Sequence, residues 1–97
     1  MIMSYFTTRG ELVKVESQNI YTSEGFRVYA QLSVYEDFSE IIVNVFNGEG
    51  PAICTLLSGF SNFRNHEEVC RQKLNQYLNS EDFKNDCETL SAEYEAV

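Results

Sequence analysis

Ten consecutive residues, 26–35, alternate between apolar side chains and polar or aromatic ones. Successive side chains of an extended chain point to opposite faces, so this period of two predicts a strand with one face in the core. The other face, which carries Tyr29 and Tyr35, is predicted to meet solvent or a partner. A chain built around such a strand needs neighbouring strands and a layer that covers its apolar face. The apolar positions are Phe26, Val28, Ala30, Leu32 and Val34.

Further strands are predicted on both sides of this one. Residues 11–21 precede it and alternate less regularly. Residues 40–46 follow it with apolar side chains on both faces, which is typical of a central strand or of an edge covered by a helix or a second subunit. Asn47-Gly48 is a strong turn signal after that strand.

The segments at the two ends of this predicted sheet are harder to assign. Residues 52–57 predict a last strand, and the same short run is compatible with a helix. Residues 58–65 are then expected to form a loop in which Phe60 and Phe63 plug the core. Residues 1–8 are predicted to form a short strand or an ordered arm.

The apolar period changes to steps of three and four after Asn65, which predicts helices. A first helix is predicted after Asn65, which forms a capping-box-like pair with Glu68. This helix carries Glu67 and Arg71 as an i, i+4 ion pair on its solvent side. A second helix is predicted over residues 80–97, capped by its first serine. Its apolar stripe consists of Phe83, Cys87, Leu90 and Tyr94.

The 97 residues therefore predict one domain, residues 1–97, of class α+β. We expect an antiparallel meander of three to four strands followed by two C-terminal helices packed on one face of the sheet.

Charge limits the partners that such a chain can attract. Fifteen acidic residues against seven basic ones give a net charge of −8. This predicts repulsion from nucleic acid and from anionic membranes, so a partner drawn by charge would have to be basic. The alternative is that the acidic residues serve only solubility. With no long apolar run, no signal-like N-terminus and three unpaired cysteines, a cytoplasmic location is expected.

Neither a metal site nor a catalytic site is predicted. His66 and Cys70 lie four residues apart, and Cys87 lies on the next helix. Structural zinc needs four ligands, and a reactive thiol needs electropositive surroundings, whereas these three residues lie on apolar helix faces. We expect them to be core residues, and we expect no cofactor and no enzymatic activity, because nucleotide-binding and hydrolase motifs are absent from the sequence.

Acidic residues on the second predicted helix are the main candidate for a partner-binding surface. They fall in two rows on its outside and along one flank of its apolar stripe. Seven residues of helix advance roughly 10 Å, whereas duplex DNA carries a charge about every 1.7 Å. One helix is therefore too sparse to imitate DNA without acids from the sheet turns and from a second copy. The first row is Glu81, Glu88 and Glu95, the second is Asp82, Asp86 and Glu93, and the sheet-turn acids are Glu36, Asp37, Glu40 and Glu49.

In size, acidity, lack of catalytic motifs and possession of this acidic helix, the chain resembles the small acidic inhibitors that bacteriophages make against host DNA-binding or restriction systems. The T-even phage anti-restriction nuclease protein is the nearest of these in size and character. The resemblance implies a homodimer whose surface mimics DNA and blocks a restriction enzyme or another basic DNA-binding protein. The competing hypothesis is a small acidic chaperone, immunity protein or antitoxin that grips one basic protein by its sheet face.

Overall fold

In the computed structural model of this chain, residues 10–94 are described; the arm predicted at residues 1–8 and the candidate residue Glu95 lie outside this range. Four strands are followed by two helices, which confirms the predicted α+β class. Within the described residues no helix is long and apolar enough to cross a membrane. The elements are β1 (Leu12–Tyr21), β2 (Arg27–Tyr35), β3 (Ser39–Phe46), β4 (Cys54–Ser61), α1 (His66–Leu78) and α2 (Glu81–Glu93).

The sheet is an antiparallel meander in the order β1-β2-β3-β4, so each strand pairs with the next one in the chain. Its register places Ala30 opposite Val43 on the face that the helices cover. The same register places Gln31 opposite Ile42 on the other face, which we call the open face. β3 lies between β2 and β4, so of the two alternatives for this strand the central position is confirmed.

The core lies between the covered face of the sheet and the two helices. The predicted alternation of β2 is confirmed, since Phe26, Val28, Ala30, Leu32 and Val34 are all buried. β3 and the two helices supply the other side chains of this core, and burial of the apolar surface is the main stabilising term. These other core residues are Ile41, Val43, Val45, Cys70, Leu74, Cys87 and Leu90.

The last strand differs from its prediction in position and in what it buries. β4 begins at Cys54 and continues to Ser61. Of the two alternatives for residues 52–57, strand or helix, the strand is therefore confirmed. The loop predicted over residues 58–65 was wrong for its first four residues, which belong to β4. Gly59 lies on the covered face, where an added Cβ would stand 3.4 Å from Nζ of Lys73. Alternation therefore turns Phe60 away from the core, and it is 68% exposed. The prediction that Phe60 and Phe63 plug the core was wrong.

The helix starts were predicted with mixed success. Ser80 caps α2 as expected, because its side chain accepts a hydrogen bond from the N–H of Phe83 at 3.2 Å. The capping box predicted at Asn65 was wrong, since its side chain makes no capping hydrogen bond. The His66 ring fixes this end of α1 instead, with Nδ1 2.7 Å from the Ser39 hydroxyl and Nε2 3.3 Å from the carbonyl oxygen of Glu36.

Candidate functional site

The acidic helix α2 is held with one face toward the core and the other toward solvent. Cys87 and Leu90 are buried and Phe83 is partly buried, so the apolar stripe packs inward as predicted for these three residues. The remaining surface of α2 therefore points outward. Its exposed carboxylates belong to Glu81, Asp82, Glu88 and Glu93.

The acidic residues of α1 form ion pairs within the protein. Arg71 donates to Glu67 at 2.6 Å and to Glu16 of β1 at 2.6 Å, and Lys14 of β1 lies 2.6 Å from Glu67. Hydrogen bonds from Lys14 and then Arg71 lower the pKa of Glu67 to about 2, and the Arg71 bond lowers the pKa of Glu16. The predicted ion pair Glu67–Arg71 is confirmed, and it belongs to a five-residue network that joins β1 to α1 and also contains Lys14, Glu16 and Glu68.

The outer carboxylates of α2 have no comparable partners. Among the residues that the structure describes, no ion pair involves Glu81, Asp82, Glu88 or Glu93. α2 carries five acidic residues against one basic residue, Lys84. The two helices thus differ sharply in charge, because the basic groups of the β1–α1 network neutralise acids of that network and leave the outer surface of α2 strongly negative.

Asp86 stands apart from the other candidate acids of α2. Its carboxylate accepts a hydrogen bond from the hydroxyl of Tyr77 at 2.6 Å, which links α2 to α1. Burial first, and then this bond, raises the pKa of Tyr77. The Tyr77 ring also makes an edge contact with Phe83, with 5.5 Å between ring centroids. Asp86 therefore positions α2, and it is only partly exposed.

The candidate acids of the sheet turns lie at two opposite ends of the sheet. Glu36 and Asp37 follow β2, with Glu40 close behind them in β3, whereas Glu49 lies in the loop after β3. Because β2 advances about 3.3 Å per residue, the two ends are roughly 26 Å apart. α2 lies at the Glu49 end of the sheet, since its residue Cys87 is close enough to Glu24, in the turn between β1 and β2, to feel the charge of that residue. Burial first, and then this charge, raises the pKa of the Cys87 thiol to about 11. One copy therefore does not join all the predicted acids into one surface.

A broad groove on the open face was not predicted from the sequence. It encloses about 1050 Å³ between the β2–β3 turn and the end of β4. Along β2 beside it, the Tyr29 hydroxyl donates to Oε1 of Gln31 at 2.5 Å, and Nε2 of Gln31 donates to the Ser33 hydroxyl at 2.9 Å. Apolar walls and a polar floor make this a surface suited to a peptide or a protein loop. The apolar wall residues are Phe38, Ile42 and Phe60.

The thiols and the histidine have structural surroundings. Cys70 is buried, its thiol donates to the carbonyl oxygen of Ser39 at 3.4 Å, and burial raises its pKa. Cys87 is also buried, as predicted, while Cys54 is partly exposed. Within residues 10–94 no group of three histidine, cysteine or carboxylate side chains is placed to hold a metal ion.

Comparison with protein-family models, curated proteins and solved structures found no match to this chain.

Proposed function

We propose that this chain is a non-enzymatic binding protein that occupies a basic surface of another protein through the outer face of α2. The observation that carries the proposal is the contrast between the helices: the acids of α1 form ion pairs, and four exposed carboxylates of α2 form none with residues 10–94. Clustered unpaired charge of one sign raises the local concentration of an oppositely charged partner and speeds its association.

The basic surface that we propose as the target is the DNA-binding site of a restriction enzyme or of another DNA-binding protein, so that the chain acts as a DNA-mimic inhibitor. Such sites are lined with lysine and arginine side chains that neutralise phosphates. α2 spans roughly 20 Å and offers four exposed carboxylates, a lower density than a duplex. A second copy would have to supply further acids, which is consistent with the homodimer that the resemblance implies. The free thiols are consistent with action in the cytoplasm.

The test is affinity capture from host lysate with elution in a salt gradient, followed by competition with duplex DNA. We expect a DNA-binding partner that elutes at moderate salt, because salt screens the charges of both proteins. We also expect duplex DNA to displace it, because the duplex competes for the same basic site. A partner that neither salt nor duplex displaces would refute DNA mimicry.

Matched variants locate the contact on α2. Four amide substitutions, E81Q, D82N, E88Q and E93Q, remove the exposed carboxylates without touching the buried face. The control carries E81D, D82E, E88D and E93D, which keep every charge. We expect the amide variant to fold normally and lose the captured partner, and the control to retain it. Equal capture by both variants would show that the partner binds elsewhere.

A second candidate function is favoured by the groove on the open face. In that function the chain is a small acidic chaperone, immunity protein or antitoxin that holds one basic protein in the groove, with acids at its rim for orientation. The separation of the acids into two ends of the sheet also supports it. The variant F60S discriminates, because Phe60 is exposed and its loss should not affect folding. Loss of capture by F60S, with capture retained by the α2 amide variant, would select this function.

A further inference from the structure

Within residues 10–94, the edge strand β1 leaves a long strip of apolar surface and backbone uncovered. Among these residues, β1 pairs with β2 on one side and with no strand on the other. Leu12, Val13 and Val15 are 52%, 60% and 47% exposed, which is unusual for three apolar residues so close in sequence. Exposed edges of this length invite pairing with another strand.

The backbone groups at this free edge can be identified from the neighbouring bonds. The carbonyl oxygen of Phe26 accepts from the N–H of Thr22 at 3.0 Å, and the N–H of Tyr35 donates to Phe38 on the opposite side. The N–H and C=O groups of successive residues in a strand point alternately to its two sides, so the even-numbered residues of β2 direct these groups toward β1. The register pairs Ala30 with Gln18 and Leu32 with Glu16. The odd-numbered residues of β1, such as Val15, Ser17 and Asn19, therefore point their N–H and C=O groups outward.

The same edge is the part of this acidic chain that a second copy could approach without strong repulsion. A net charge of −8 opposes self-association over most of the surface. Beside β1, however, the bases Lys14 and Arg71 form ion pairs with the acids Glu16, Glu67 and Glu68. This patch has both signs of charge, so it is complementary to itself.

We infer that a second copy of this chain pairs with β1 in antiparallel fashion about a two-fold axis at Val15. In this register Val15 faces Val15 of the second copy, and their outward backbone groups bond to each other. Lys14 then lies opposite Glu16 of the second copy, and the reciprocal pair forms as well. An axis at Lys14 or at Glu16 would place like charges opposite each other, which is destabilising. Charge thus selects one register among the neighbouring ones.

The pairing extends the sheet to eight strands and keeps all four helices on one face, because a two-fold axis relating antiparallel neighbours is perpendicular to the sheet. It also reverses the second copy end for end. α2 of one copy then lies at the same end as Glu36 and Asp37 of the other. The pairing does not depend on the proposed function, but it would join acids that a single copy keeps about 26 Å apart.

The test begins with sedimentation equilibrium of the full chain. We expect twice the 11.2 kDa mass of one chain for the natural sequence. V15P removes an outward N–H at the centre of the pairing, and an edge strand tolerates proline there, so this variant is expected to sediment at 11.2 kDa. The control Y21P changes an outward residue beyond the paired segment and should remain a dimer. A monomeric natural chain, or a dimeric V15P, would overturn the inference.

The register is tested separately by charge reversal. If V15P fails to fold, the same variants also test whether two copies pair through β1. K14E alone places glutamate opposite glutamate in a homodimer, and E16K alone places lysine opposite lysine, so each variant is expected to be a monomer. When the two are mixed, both cross-strand pairs become opposite in charge, and a heterodimer is expected. Two homodimeric variants that do not form a heterodimer on mixing would refute this register.

Discussion

Removing only the hydroxyl of Tyr77, in the variant Y77F, is expected to lower the free energy of unfolding by about 1–1.5 kcal/mol. The hydroxyl donates to the Asp86 carboxylate at 2.6 Å, and hydrogen bonds to charged groups contribute about 1.5–3 kcal/mol. Asp86 is partly exposed, so water can replace the lost donor and the cost falls below that range. A phenylalanine ring keeps the edge contact with Phe83, so the variant isolates the hydroxyl.

The assay is urea and thermal unfolding of Y77F beside D86N and the double variant. A domain of this size loses roughly 4–8 °C in melting temperature for each kcal/mol. The matched control is Y29F, which removes a hydroxyl that donates to the neutral amide of Gln31 and should cost less. If the loss of unfolding free energy in the double variant equals the sum of the losses in the two single variants to within about 0.3 kcal/mol, Tyr77 and Asp86 do not interact and the reasoning fails.

The same pair predicts an alkaline pH dependence of defined sign. Burial, and then the bond to Asp86, raises the pKa of Tyr77 above its ordinary value of 10.0. A group whose pKa is raised by folding contributes stability that is complete below its unfolded pKa and is lost as pH rises toward the folded one. The stability difference between the natural chain and Y77F should therefore be constant near neutrality and shrink above about pH 10. A difference that widens with pH would contradict this.

Two further predictions concern the β1–α1 network and the thiols. The pKa of Glu67 is lowered to about 2, so its contribution to stability is present above its ordinary value of 4.5 and is lost as pH falls. Urea midpoints should thus fall more steeply between these two pH values in the natural chain than in E67Q, and equal slopes would be contrary evidence. At about pH 8, a thiol reagent should modify Cys54 first, because Cys54 is partly exposed whereas Cys87 is buried; burial raises the pKa of both thiols, that of Cys87 to about 11. Equal rates for Cys54 and Cys87 would disagree with the structure.

Local patterns predicted those elements whose burial follows a regular period. The alternation from Phe26 onward located β2 and its buried face, and the step of three and four identified Cys87 and Leu90 as the inner face of α2. Ser80 was predicted as a cap because capping depends on residues close in sequence. Phe60 was misassigned because apolar character was taken as evidence of burial, whereas its direction depends on the pairing of β4 with β3.

The parts of the site that depend on distant contacts could not be predicted in this way. The pair Glu67–Arg71 was visible in the sequence, but its bonds to β1 join residues 55 positions apart. Asp86 fitted a helical row of acids, and only the packing of α2 on α1 shows that Tyr77 engages it. The groove on the open face has no local signal, because it is formed by side chains from several strands and turns that come together only when the sheet is assembled.

The way in which α1 begins has a consequence for the order of folding. Asn65 provides no side-chain cap, and no basic residue lies in the last turn of this 13-residue helix. Isolated helices of this length are marginal in water, so α1 has little reason to form alone. Its first residue, His66, is held by Ser39 and by the carbonyl of Glu36, both of which belong to the hairpin of β2 and β3. We therefore expect the hairpin to form before α1 and to serve as its template, with α2, which carries its own cap, docking on α1 afterwards.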